Sequence, residues 1–471
     1  MALLRKIFFI GFLIWAKYGA SQLLPYQHFT ERDRDKTDTT SLQHFFRHGE
    51  FYGHARYYFM ATDNEAGLTD YFANAFGMGI GYETGKFKGF QIGLSGFFIY
   101  NIGSSNLSKP DALTGVKNRY EVGQFDMLDP ANKHDMDRLE DLYIKYSYKK
   151  SQIKFGKQHI KTPFINPQDG RMRPTLVEGV MFESSDIKNT RLEGGWLYGV
   201  SPRSTVKWFG IGESMGVFPA GLNSDGSKSQ YAGNVQSKAV YFLGIHYKLK
   251  EGVKLQLWDF HIDNVLNSGL IQLNAESKIN NQVKLIAGAQ CIVQKSVGNG
   301  GNSDSVKTYV LPGSEAMTYG FRLGIHTHND WLVHFNYNHI TNNGRYLMPR
   351  EWGRDPFFTF MPRERNEGLS NVHAATATVS KGIKKGFKSE LGLGYFSLPE
   401  VNDAYRNKYG MPSYWQFNAD IRYLFSGFLK GLEAQLLFVY KGNADKKELQ
   451  KNYIINKTNM SLYNLVVNYH F

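Results

Sequence analysis

The final ten residues, Leu462 to Phe471, alternate oily and wet side chains up to the last position. Tyr463, Leu465, Val467, Tyr469 and Phe471 fall on one side of an extended strand, and Asn464, Asn468 and His470 on the other, because successive strand side chains point to opposite faces. On these residues alone, the edge strand of a soluble sandwich and the closing strand of a barrel both fit. The same alternation starts near residue 50 and runs through the chain. Strands are predicted near 50–61, 72–84, 88–101, 138–150, 151–160, 175–186, 190–201, 236–249, 252–263, 267–279, 281–295, 316–328, 330–341, 371–381, 387–397, 414–425, 431–442 and 459–471. These are about 18 strands, each near the length that a tilted membrane strand requires. Residues 252–263 change phase, from Val253, Leu255 and Leu257 to Trp258, Phe260 and Ile262, and this predicts a β-bulge.

The links between strands sort by length. Tight links near 85–87, 149–151, 187–189, 250–251, 280, 328–330, 382–386 and 426–430 alternate with links such as 102–137, 161–174, 202–235, 296–315, 342–370, 398–413 and 443–458, with one exception, the short link near 263–266 on the long-loop rim. Short turns on one rim and long loops on the other are the pattern of a barrel in the outer membrane, and a sandwich has no reason to produce it. The chain has 471 residues, length enough for two or three soluble domains, yet no linker or compositional break divides it, so one large closed object fits better. Mean hydropathy is -0.40 while aromatics make up 15%, a mix expected when half of every strand faces water in a lumen. Periodicity does not say which face is inside. Aromatics near strand ends, such as Phe90, Trp331 and Tyr337, favour a lipid-bathed exterior.

At the front, Arg5 and Lys6 precede an apolar run, Ile7 to Ala16, followed by Gly19, Ala20 and Ser21. This predicts a secretory signal peptide, 1–21, then a periplasmic lead, 22–48, and a transmembrane β-barrel domain, 49–471. A lone cysteine, Cys291, permits no internal disulfide. The formal net charge of +13 falls to about +10 when Arg5, Lys6 and Lys17 leave with the signal, and such a basic excess attracts anions: solutes, lipopolysaccharide phosphates or nucleic acid.

Three stretches carry a resemblance to outer-membrane porins of the OprD type. They are Gly49, Gly53, Arg56, Tyr57 and Tyr58 with Gly77, Gly79 and Tyr82; Phe155-Gly156-Lys157-Gln158 with Thr162, Pro163, Asp169, Arg171, Pro174 and Gly179; and Gly353, Asp355, Pro356, Arg363 and Glu364. The resemblance implies an all-β, monomeric antiparallel barrel of about 18 strands with short periplasmic turns, long external loops, and third and seventh loops folded into the lumen. It implies a row of basic side chains leading to a constriction that passes small solutes bearing a carboxylate. The aromatic C-terminus resembles the signal read by the barrel-assembly machinery, through the Phe471 strand.

The third long loop holds Lys161, Asp169, Arg171 and Arg173 among Pro163, Pro167, Pro174 and Gly170, residues that fix a defined path. The seventh holds Arg345, Arg350, Arg354, Asp355, Arg363 and Glu364 among aromatics. Arginine stays charged and its planar fork matches a carboxylate, so these residues are candidates for a constriction or solute site. An ordinary loop with solvated or mutually paired charges is the plainer reading. Candidate pore-wall cations are Arg56, Lys145, Lys154, Lys254, Lys284, Arg322 and Arg422, with Lys238 and Lys278, against Asp141, Glu193, Glu276, Asp420 and Glu433. His326 and His328 lack a third partner at zinc-like spacing, no nucleophile elbow marks a hydrolase, and no phosphate-cradling glycine loop occurs. No cofactor, metal or nucleic acid is therefore expected. The expected function is passive diffusion of small hydrophilic solutes, anionic or zwitterionic, through a narrow net-basic pore. The alternatives are a non-conducting adhesin or structural barrel and, behind it, a barrel hydrolase.

Overall fold

The computed structural model describes residues 38–471 other than 168, 169, 364 and 385. The expected signal peptide and most of the expected lead lie outside the described residues, as do Asp169 and Glu364. Eighteen long strands follow one another: β1 (Glu50–Asp63), β2 (Tyr71–Glu83), β3 (Phe90–Ser104), β4 (Met136–Tyr148), β5 (Ser151–His159), β6 (Leu176–Ser184), β7 (Thr190–Ser201), β8 (Val240–Lys250), β9 (Val253–Ile262), β10 (Leu266–Lys278), β11 (Val283–Ser296), β12 (Glu315–Thr327), β13 (Trp331–Ile340), β14 (Val372–Lys384), β15 (Phe387–Ser397), β16 (Tyr414–Leu424), β17 (Leu432–Asn443) and β18 (Met460–His470). Each pairs antiparallel with its neighbours in sequence. β18 returns to β1, with Ala55 opposite Tyr469 and Thr62 opposite Leu462, so the sheet closes and leaves no free edge. Three two-residue strands, Asp38–Thr39, Lys86–Phe87 and Phe209–Gly210, add to its rims. No described helix is long and apolar enough to cross a membrane; the crossing is made by strands.

The question of inside and outside is settled by accessibility. Leu323, Phe335 and Leu436 are 59%, 58% and 55% exposed on the outer skin, while the polar residues that alternate with such positions, Asn336, Asn338, Gln416 and Asn464, are buried within. A soluble barrel has the reverse arrangement. The closing strand follows the same rule, with Tyr463 and Tyr469 outward and Asn464 and Asn468 inward.

Before β1, the helix α1 (Leu42–Arg47) starts at Ser41, whose hydroxyl accepts the His44 N–H at 3.5 Å. It sits against the first short turn, where the Gly85 N–H donates to the Phe45 carbonyl at 2.8 Å. The sequence reading placed no element there.

The predicted bulge does not fall at the phase change in 252–263: the β8–β9 register shifts only where β8 carries an extra residue between Lys248 and Lys250, opposite Lys254 and Val253. β9 keeps an unbroken ladder with β10 from Val253 opposite Ala275 to Ile262 opposite Leu266. The phase change has another cause: Trp258, Phe260 and Ile262 face inward and are buried against loop residues such as Phe164, Ile165 and Met348. Here the lumen itself is apolar, so the hydrophobic pattern switches faces while the backbone does not.

Candidate functional site

The loop 341–371, joining β13 to β14, hydrogen-bonds to inner-face side chains around much of the wall. Gln294 on β11 donates to the Leu347 carbonyl at 2.9 Å, and Gln290 to that of Pro356 at 2.8 Å. Arg322 on β12 reaches the Phe358 carbonyl at 3.4 Å and lies over the Phe358 ring at 4.7 Å. Gln416 on β16 donates to the Pro362 carbonyl at 2.7 Å, and Lys441 on β17 to that of Arg363 at 2.8 Å. The Arg363 guanidinium donates to Asn464 on β18 at 2.9 Å and to the Tyr58 hydroxyl on β1. Arg363 itself adopts φ +71°, a left-handed backbone that a non-glycine residue adopts only when its surroundings hold it there.

The loop 160–175 joins the same assembly. Asn166 donates to the Arg354 carbonyl at 3.0 Å and accepts the Arg354 N–H at 3.0 Å. Arg173 grips Glu140 on β4 through Nε at 2.6 Å and through Nη2, contacts His54 Nδ1 at 3.2 Å, and stacks over Phe97 at 4.1 Å. Glu140 also accepts Arg138 Nη2 at 2.9 Å, so two buried guanidiniums share one carboxylate. Such a cluster holds only while every member is paired, because an isolated buried charge is costly.

The other candidates divide by environment. Arg171 is buried beside Gly123 in the loop 105–135, where its charge acts on Glu121. Burial pushes the Glu121 carboxyl up, while bonds from Thr62 at 2.5 Å and Asn118 at 2.6 Å act in the other sense. Arg345 donates to the carbonyls of Leu222, Asn223 and Tyr405, tying three loops together. Arg350 pairs with Glu367 at 2.8 Å and lies over Tyr409 at 3.7 Å; Arg354 lies over Phe360 at 4.7 Å; Asp355 accepts the Asn366 N–H at 2.9 Å. Lys161 lies exposed at the start of its loop.

On the wall, Lys145 is buried against Glu83 at 3.3 Å, Arg422 against Asp420 at 2.8 Å, and Lys154 lies over Tyr143 at 4.3 Å. Arg322 also bonds Asn336 at 2.7 Å. Lys254 is exposed and Lys284, half-buried, meets Glu276 at 2.5 Å. Lys238, read as a strand residue, lies in the connection before β8, where its backbone N–H donates to Asp263. Arg56 is 8% exposed over the Tyr58 ring, within the fields of Glu433, Arg422 and Arg363, and its Nε has no hydrogen-bond partner among the described residues.

Sequence reasoning missed Glu140, Arg138, Lys441 and His54. The reason for the first two is a register shift: β4 skips a residue where Ser95 faces Asp141 and Gly96 faces Leu139, so Glu140 and Asp141 are both buried. Strict alternation admits only one of them. The available signal is the density of charge in Arg138-Leu139-Glu140-Asp141.

A closed barrel with lipid-facing apolar bands and loops bonded to a polar inner wall is the architecture of an outer-membrane β-barrel. Residues 112–342 match the family described as outer membrane porin, OprD family. OpdK of Pseudomonas aeruginosa, in its structure with vanillate, is similar over 91% of this chain and 99% of its own, at 14% identity and a TM-score of 0.69. OccK9 (OpdG) of P. aeruginosa is 16% identical with a TM-score of 0.69 over 91% and 99%, and OccAB3 of Acinetobacter baumannii 14% identical with a TM-score of 0.69 over 90% and 100%. No curated protein matches the sequence. Over residues 112–342 the chain matches the OprD porin family, and its fold is that of the OprD-type porins of the bacterial outer membrane.

Proposed function

We propose that this porin is a passive, gradient-driven channel with a narrow net-basic pore that favours carboxylate-bearing solutes such as amino acids or organic acids. The observation that carries this reading is Arg56. A buried guanidinium on the inner face, with Arg422 and Arg363 acting on it against the single carboxylate of Glu433, is a local source of positive potential for an anionic solute. The shared carboxylate of Glu140, beside Arg138 and Arg173, leaves a second local excess of positive charge. Vanillate, named with the similar OpdK structure, is itself a carboxylate. In this reading the constriction is lined by Arg171, Arg173, Arg363 and Asp355 with Lys161, Asp169, Arg345, Arg350, Arg354 and Glu364 on the same two loops, and the pore wall by Arg56, Lys145, Lys154, Lys254, Lys284, Arg322 and Arg422. The working unit is a monomer set in outer-membrane lipid and lipopolysaccharide, delivered by the barrel-assembly machinery through the Phe471 strand.

A second reading, a non-conducting barrel, draws on the apolar cluster of Phe164, Phe260, Met348 and Trp352 within the lumen. Purified protein in a planar bilayer separates them. Stepwise conductance with anion preference, lost when Arg171 and Arg173 are both replaced by Gln, supports the channel; an electrically silent barrel supports the second reading. Liposome swelling with amino acids, dicarboxylates, sugars and peptides then ranks the solutes.

A further inference from the structure

On the outer skin of the barrel, at the long-loop rim, His339 near the end of β13 and His373 near the start of β14 are direct cross-strand partners. Both lie on the face that carries Phe335 and Tyr337, opposite the buried Asn336 and Asn338. Their ring centroids are 4.2 Å apart with planes tilted by 32°. His339 Nδ1 lies 2.9 Å from the Val372 carbonyl oxygen, which only accepts. That nitrogen therefore carries the proton, and the lone pair of the neutral ring sits on Nε2. His373 Nδ1 lies 2.7 Å from the Tyr337 hydroxyl, which accepts from Nδ1–H in one of its two senses and so leaves the second Nε2 lone pair available as well.

An oxygen partner on Nδ1 that fixes the tautomer and orients Nε2 is the usual support of a metal-bound histidine. We propose that His339 and His373 form a two-histidine site for a first-row transition-metal dication, facing the outer surface of the membrane and separate from the pore. Imidazole nitrogen suits copper, nickel and zinc, and copper(II) binds tightest in that series. Among the described residues no cluster of three or more His, Cys, Asp or Glu is placed to hold a metal, so water completes the coordination sphere.

The test is copper(II) alone, titrated into the purified, folded full chain in detergent near pH 7.5 and followed by calorimetry and electron paramagnetic resonance. The expected result is one site with two nitrogen ligands, at least tenfold weaker in His339→Ala and in His373→Ala, with heat-modifiable gel mobility confirming the fold. His44 in α1 and His48 just after it, ring centroids 4.8 Å apart, supply the control. The His44→Ala, His48→Ala variant keeps the site if the proposal holds. Copper binding that survives in the His339→Ala, His373→Ala double variant, or that disappears with His44 and His48, overturns it.

Discussion

Two parts of the inner wall are built differently. From β16 across the seam to β4, inner-face side chains are buried along most of each strand, and the charged ones are held: Arg422 by Asp420, Arg363 by Tyr58 and Asn464, Arg173 by Glu140, Lys145 by Glu83. On β9, β10 and β11 the inner face is buried only toward the long-loop rim, where Trp258, Phe260, Leu270, Ile292 and Gln294 lie, while Lys254, Glu276 and Lys278 toward the short-turn rim are exposed. A cation therefore does different work on the two sides. A buried, paired arginine fixes the position of a loop, and an exposed lysine changes only the local potential.

The largest effect expected from this contrast is on the seam side. Glu140→Ala leaves Arg138 and Arg173 buried without their common carboxylate and should cost about 3–5 kcal/mol, measured by urea unfolding of the vesicle-inserted barrel. Less than about 1 kcal/mol would mean that the seam wall is no more tightly built than the opposite one. Next, a side chain at Gly53 would enter the Phe471 ring, since its Cβ would fall 2.1 Å from the ring carbons. Gly53→Val is expected to destabilise the seam by about 1–3 kcal/mol, and Phe471→Ala in the same chain to restore part of the loss by vacating the space. If the double variant is worse than either single one, this packing account of the seam is wrong.

On the opposite wall, Lys254→Gln with Lys284→Gln should leave stability within about 0.5 kcal/mol while moving the reversal potential toward cations, by less than the Arg171 and Arg173 pair does. A stability loss as large as that of Glu140→Ala would erase the distinction between the walls.

The smallest effect is on the long loops. Burial pushes the Glu351 carboxyl up to about 7 and the Lys408 ammonium down to about 8. Glu351 accepts the Gly216 N–H at 2.5 Å and feels Glu367 and Lys408. Lys408 lies 4.5 Å and 4.8 Å from the Tyr231 and Tyr309 ring centroids, near Glu367, Glu351, Arg345 and Arg350. A raised carboxyl stabilises the folded loops below its ordinary value of 4.5 and loses that contribution as pH rises through about 7; a lowered lysine contributes above 10.5 and loses it as pH falls through about 8. Protection of residues 342–370 and 398–413 against proteolysis should thus be weakest between about pH 7 and pH 8. A flat profile from pH 5 to pH 10 would remove these two groups from the account.

Strand number, order and the residues that share each face were readable from the chain because a one-residue slip would move every apolar side chain to the opposite face, so period two must persist over the whole sequence. Two places broke that reading for a physical reason. At Trp258, Phe260 and Ile262, oily side chains face inward because loop residues fill the lumen there, and no local pattern records what will stand opposite a strand. At Glu140 and Asp141, a skipped residue buries both. The arginines of the two loops were legible as charge, but their partners were not: Arg173 meets Glu140 and Arg363 meets Tyr58 and Asn464 across large sequence separations. Sequence by itself determined the run of strands, their two faces and the sorting of short and long links, since these follow from alternation residue by residue, while the accessible surface decided which face meets lipid. Only the tertiary structure decided which cations are bound into the wall and which face open space, because that depends on where the loops come to rest inside the closed barrel.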